Sequence, residues 1–193
     1  AIIHTIVYIK NTKNINSKYI NNIVPVSDID VVINDYPNLL EITILLNEEE
    51  LDLSKIRKFH RLETLKLLGG GHHHTLIHLD ELNISTIIIR DFIIDSKIQK
   101  ELSNNIQITS IIMVNSIMHD YQIVSKNIEY IRLEGIKGLL SLDGISKTPN
   151  IRDIYIEKCD TINNVEELVI LPIFEEIHFI GFKDINSEYY FLA

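Results

Sequence analysis

An apolar pattern that returns every 20 to 24 residues constrains this chain more than any other feature. The unit reads apolar, two variable, apolar, one variable, apolar. Clear copies are Leu39/Ile42/Ile44, Leu62/Leu65/Leu67, Ile128/Ile131/Leu133, Ile151/Ile154/Ile156 and Phe174/Ile177/Phe179. Weaker copies are Ile3/Ile6/Tyr8, Val26/Ile29/Val31, Ile84/Ile87/Ile89 and Ile108/Ile111/Met113. The middle apolar residues stand at 6, 29, 42, 65, 87, 111, 131, 154 and 177, and only the step from 29 to 42 is short. Alternation within each copy predicts a short strand with its apolar pair on one face. One such strand cannot bury that pair alone, so a fixed period predicts stacked units with a shared interior. Isoleucine supplies about one residue in five, and its β-branched side chain favours strands.

Three copies extend to a ninth position: Leu39 to Asn47 and Val26 to Asn34 end in Asn, and Ile151 to Cys159 ends in Cys. With these the chain resembles the leucine-rich-repeat family, whose pattern is L-x-x-L-x-L-x-x-N or C. The resemblance implies an α/β fold. This would be a leucine-rich-repeat solenoid of divergent, isoleucine-rich repeats, with a curved parallel β-sheet and short helical or irregular return segments. It implies a single domain over residues 1–193, with 1–37 an atypical N-terminal portion and 174–193 the last repeat or cap. Candidate returns are Asp52 to His60, Asp95 to Asn104 and Thr161 to Leu168, with Asp95, Ser54 and Thr161 as candidate caps. Most other copies carry Gly70, Phe92, Ser116, Ile136 or Phe182 at the ninth position. They lack the side chain that satisfies the buried turn in the family.

The charge balance bears on partners. The formal net charge is -9, from 27 acidic and 18 basic side chains. Phosphate backbones and anionic lipids repel such a surface, which disfavours nucleic acid and membrane as partners. A basic protein is the partner it suits. No stretch of 18 apolar residues predicts a membrane-spanning helix. The one cysteine, Cys159, has no internal disulfide partner, which points to a reducing, cytoplasmic setting.

In the family, the outward strand residues line a concave face that often binds protein. The residues that register would place there include Tyr130, Arg132, Glu134, Asp153, Tyr155, Glu157 and Glu176, with Ile88 and Ile112 in the middle of the face. Aromatic and apolar anchors inside a charged rim suit a protein interface.

Other candidate chemistry is thin. His72, His73, His74 and His78 follow Gly69-Gly70-Gly71. Imidazole ligates zinc, copper or nickel, but adjacent loop histidines rarely close a tetrahedral site, so no metal and no cofactor is expected. Cys159 reads as a buried structural thiol rather than a nucleophile. No phosphate loop, dinucleotide fingerprint or nucleophile elbow occurs. The sequence therefore suggests a non-catalytic protein-binding module. Its alternatives are a stoichiometric inhibitor or immunity protein against a basic toxin or nuclease, a hydrolytic enzyme, and a repeat fragment of a larger scaffold.

Overall fold

A computed structural model describes residues 6–10, 24–25, 30, 33–34, 37–46, 49–159, 161–165, 168 and 176–180. The strands are β1 (Ile6–Lys10), β2 (Val24–Pro25), β3 (Glu41–Leu45), β4 (Glu50–Asp52), β5 (Thr64–Leu68), β6 (Thr75–Ile77) and β7 (Thr86–Arg90). After helix α1 (Ser96–Asn104) come β8 (Ser110–Val114), β9 (Tyr130–Glu134), β10 (Asp153–Glu157) and β11 (Glu176–Ile180). Nine of them form one sheet in the order β11-β10-β9-β8-β7-β5-β3-β1-β2, and β4 pairs with β6 in a second, parallel pair.

From β3 to β11 the large sheet is parallel and held in one register. Ile42 lies opposite Leu65, then Ile87, Ile111, Ile131, Ile154 and Ile177. Strands β3, β5, β9 and β10 alternate half-buried and buried residues throughout. The inward residues from Ile42 to Ile154, and the parallel row Ile44, Leu67, Ile89, Met113, Leu133 and Ile156, are all at most 1% exposed. A slip of one residue would turn both rows to solvent, so burial itself specifies the register.

The far side of this interior is closed by the connecting segments, each by different means. Between β3 and β5 runs β4, which turns Leu51 inward, followed by a short 3-10 turn at Ile56–Lys58 that buries Ile56. The return anticipated over Asp52 to His60 as a helix or a turn is a turn, with no α-helix. Leu53 N donates to Ile77 O in the ladder with β6, and the Asp52 side chain accepts from Ser54 N at 2.8 Å. Those bonds compete with a helical turn. Helix α1 does form. Asp95 Oδ1 accepts from Lys97 N and Ile98 N at 3.0 and 2.9 Å, and Ile98 and Leu102, one turn apart, are buried. The return from Thr161 shows no α-helix among its described residues. It is tied sideways instead, by Thr161 Oγ1 to Leu139 O at 2.7 Å and by Asn164 Oδ1 accepting from Leu142 N at 2.9 Å.

The architecture is therefore an α/β domain built on one long continuous sheet, parallel from β3 to β11, with one fully defined helix among the described residues, not the leucine-rich-repeat solenoid that the resemblance implied. The copy at Ile3/Ile6/Tyr8 falls on β1, which runs antiparallel to both β2 and β3. The copy at Val26 to Asn34 is not a strand at its described residues, because Asp30, Ile33 and Asn34 are helical. The connections share no common form. The ninth position shares no common chemistry either. Ser116 Oγ donates to Val114 O at 3.1 Å and accepts from Phe92 N at 3.2 Å, while Phe92 fills space as a ring. Cys159, fully buried, donates weakly to Glu157 O at 3.4 Å and Leu133 O at 3.7 Å. Asn47 and Phe182 lie outside the described residues. The portions anticipated at 1–37 and 174–193 are described only in part.

One backbone feature does recur. The residue that follows each of β7, β8, β9 and β10 is left-handed: Asp91 (φ 56°), Asn115 (φ 51°), Gly135 (φ 62°) and Lys158 (φ 53°). At the first three of these corners the ladder continues, with Asp91 N, Asn115 N and Gly135 N donating to Val114 O, Glu134 O and Glu157 O. Asn and Asp tolerate this conformation and Gly accepts it freely. At Gly135 a side chain is excluded twice over, since a Cβ would stand 2.8 Å from Asn115 Oδ1.

Candidate open-face binding site

The outward side chains of the parallel sheet form three rows. The middle row runs Thr43, Lys66, Ile88, Ile112, Arg132, Tyr155 and His178. The first places Ser110, Tyr130, Asp153 and Glu176 in line, and the third places Val114, Glu134, Glu157 and Ile180 in line. The register thus brings all nine residues singled out from sequence onto one face. For Glu176 and Ile180 only the backbone position is described.

Within that face the C-terminal cluster is bonded to itself. The Arg132 guanidinium lies 4.5 Å from the centre of the Tyr155 ring, a cation–π contact. It also donates to Glu134 Oε2, through Nη2 at 2.7 Å and Nε at 3.2 Å. Tyr155 donates to Glu157 Oε2 at 3.3 Å and stacks at 5.4 Å against His178. Lys158 Nζ holds the other Glu157 oxygen at 2.8 Å. Glu157 is only 15% exposed, Glu134 29% and Arg132 34%. Burial opposes the charge on Arg132, but the Glu134 bond and nearby acidic groups outweigh it and raise its pKa. The Lys158 bond lowers the Glu157 pKa against the effect of burial. Burial, then the Glu157 charge, raises that of the Tyr155 phenol.

Next to this cluster, Ile88 and Ile112 sit side by side, half-buried, and Val114 beside them is only 5% exposed although it belongs to the outward row. Beyond Ile88 the row closes with a second internal pair, Lys66 Nζ to Glu41 Oε1 at 2.8 Å.

The histidine run divides among separate environments. His74 is buried, with Nε2 2.6 Å from Gly69 O and its ring 5.1 Å from that of Phe92. His72 and His73, with an edge of His74, line a cleft of about 690 Å³ together with Leu45, Leu46, Glu49, Gly70 and Thr75. His78 is exposed, 2.9 Å from Glu81, and that bond raises its pKa. Among the described residues no group of three or more His, Cys, Asp or Glu is placed to hold a metal ion. Gly69 admits no side chain, because a Cβ would meet the Phe92 ring at 2.5 Å.

Sequence reasoning missed the buried amides. Asn105 is fully buried; its Nδ2 donates to Leu79 O and Leu82 O at 2.7 and 3.0 Å, and its Oδ1 accepts from Gln107 N and Ile108 N. Gln99 likewise joins Asp120 O and Gln122 N. An Asn just past a helix, before an apolar strand, was the available signal.

No protein-family model, curated protein or solved structure matches the chain. The leucine-rich-repeat resemblance thus finds no support beyond the spacing that suggested it. The structure likewise is not the inhibitor or immunity-protein fold that the repeat resemblance would bring with it.

Proposed function

We propose that this chain is a binding module that recognises a protein partner through the open face of its parallel sheet, rather than a catalyst. One observation carries the reading: aromatic and aliphatic side chains, Tyr130, Tyr155, Ile88 and Ile112, stand on adjacent strands with ionic groups already paired around them. Paired charges present little net field, so covering them costs less desolvation than covering isolated ions. Half-buried aromatic and aliphatic anchors on rigid strands lose little conformational freedom on contact. The charged groups here hold one another in place rather than pointing into a cavity, which suits recognition more than proton transfer.

The reading is tested by replacing Ile112 and Tyr155 together, as Ile112→Glu with Tyr155→Ser, and comparing proteins captured from native cells by quantitative mass spectrometry. Circular dichroism establishes that the variant keeps its fold. A specific partner is expected to drop by about tenfold or more. Equal capture by both forms would reject the open face as the binding surface.

A further inference from the structure

The open face has already paired most of its charged side chains: among the described ones, Asp153 and the exposed Arg90 beside Val114 are left without an ion pair or hydrogen bond. The face of Tyr155 is covered by Arg132 and its ring meets His178. Glu134 is held by Arg132, Glu157 by Lys158 and Tyr155, and Glu41 by Lys66. Among the described acids of this face, Asp153 is the one whose carboxylate has no ion pair or hydrogen bond. The register sets it directly opposite Tyr130, whose ring carries no cation and whose hydroxyl makes no hydrogen bond, only a charge interaction with Arg132. Both are half-buried. A carboxylate beside an aromatic face is the pairing that attracts an ammonium or guanidinium group, by charge and by the ring quadrupole together.

We infer that Tyr130 and Asp153 receive a lysine or arginine side chain of the protein partner, while aliphatic side chains of the same partner segment cover Ile88 and Ile112. This rests on the open-face reading above and specifies its occupant. The Tyr130–Asp153 pair spans β9 and β10, and the Ile88–Ile112 pair spans β7 and β8, one residue pair further along the strands. Strand spacing and rise put the two about 12 Å apart. That separation matches about two helical turns, or four residues of extended chain. The occupant is therefore a segment with one basic side chain about 12 Å from its aliphatic contact. The net charge of -9 favours the same sign of partner at longer range.

The test uses a displayed random-peptide library selected on the full chain and counter-selected on Ile112→Glu. Peptides that need the open face are expected to share a lysine or arginine at the stated distance from aliphatic residues. Binding of one such synthetic peptide should weaken about tenfold with Asp153→Asn and several-fold with Tyr130→Leu, but little with Glu41→Gln. Melting curves of each variant confirm that the fold is kept. Face-dependent peptides without a basic residue, or an affinity indifferent to Asp153→Asn, would overturn this inference and leave the open-face reading standing. A library that yields no peptide sensitive to Ile112→Glu would overturn both.

Discussion

The two faces of the parallel sheet are made by the same strands and obey different rules. Inward, the row from Ile42 to Ile154 holds only isoleucine and leucine, almost without exposure. Outward, the neighbouring row passes through Thr43, Lys66, Ile88, Ile112, Arg132 and Tyr155. The inner row must be uniform because each side chain packs against equivalents on the strands beside it. The outer row is free of that demand, so its chemical variety reflects something other than folding. Ile88 and Ile112 gain their interest here, since aliphatic side chains on the outward rows are not needed to close the core.

The sharpest way to break this contrast is a matched pair on one strand. Ile111→Ala removes fully buried methyl groups and is expected to cost about 3–4 kcal/mol. Ile112→Ala, its outward neighbour, should cost less than about 1 kcal/mol. Urea denaturation of both variants measures the difference, and equal losses would mean that the outward row is also core.

Asn105 sharpens the contrast from the inside. It shows that the interior accepts an amide when all its hydrogen bonds are met. Asn105→Ala strands the carbonyls of Leu79 and Leu82 and two amide protons, for an expected loss of about 2–3 kcal/mol. A loss no larger than that of an exposed alanine substitution would show that water takes over its role.

The smallest effect concerns Tyr121, fully buried with no partner for its hydroxyl among the described residues. Tyr121→Phe should leave stability unchanged or raise it by up to about 1 kcal/mol. Burial pushes the Tyr121 phenol far above the tyrosine range, so the folded state stays neutral while the unfolded chain ionises above about pH 10. Stability is whole below that pH and falls above it, by up to about 1.4 kcal/mol per pH unit until the folded-state pKa is reached. The phenylalanine variant should lose this share of the alkaline slope in a pH series of urea melts. An identical slope would place the ionising group elsewhere.

The strands from β3 onward were legible because alternation and spacing both report burial, and burial sets their register. Strand direction was not, since alternation in Ile6 to Lys10 marks faces and is silent on antiparallel pairing. Val26, Ile29 and Val31 fit the apolar spacing, yet neighbouring Asp30 and Ile33 are helical; three apolar residues are too few to separate the two periods. The outward cluster was legible as a set, because period two places Tyr130, Arg132, Asp153 and Tyr155 on one face. Which of them remained available was not. That depends on rotamers, such as the one that lays Arg132 on Tyr155 and leaves Tyr130 without a cation. The histidines were legible as a run but not as a division, since His74 is held inward by packing against Phe92 and by its bond to Gly69 O.

The left-handed corners after β7, β8, β9 and β10 have a consequence for how this chain can change over generations. At Asp91, Asn115 and Gly135 the corner residue is bonded to the adjacent strand and sits where β-branched side chains are strained. Added or lost residues are therefore tolerated in the loops downstream, as the unequal connections already attest, and not between strand and corner. Lineages of this protein should vary in length on the far side of the molecule while the open face keeps its spacing.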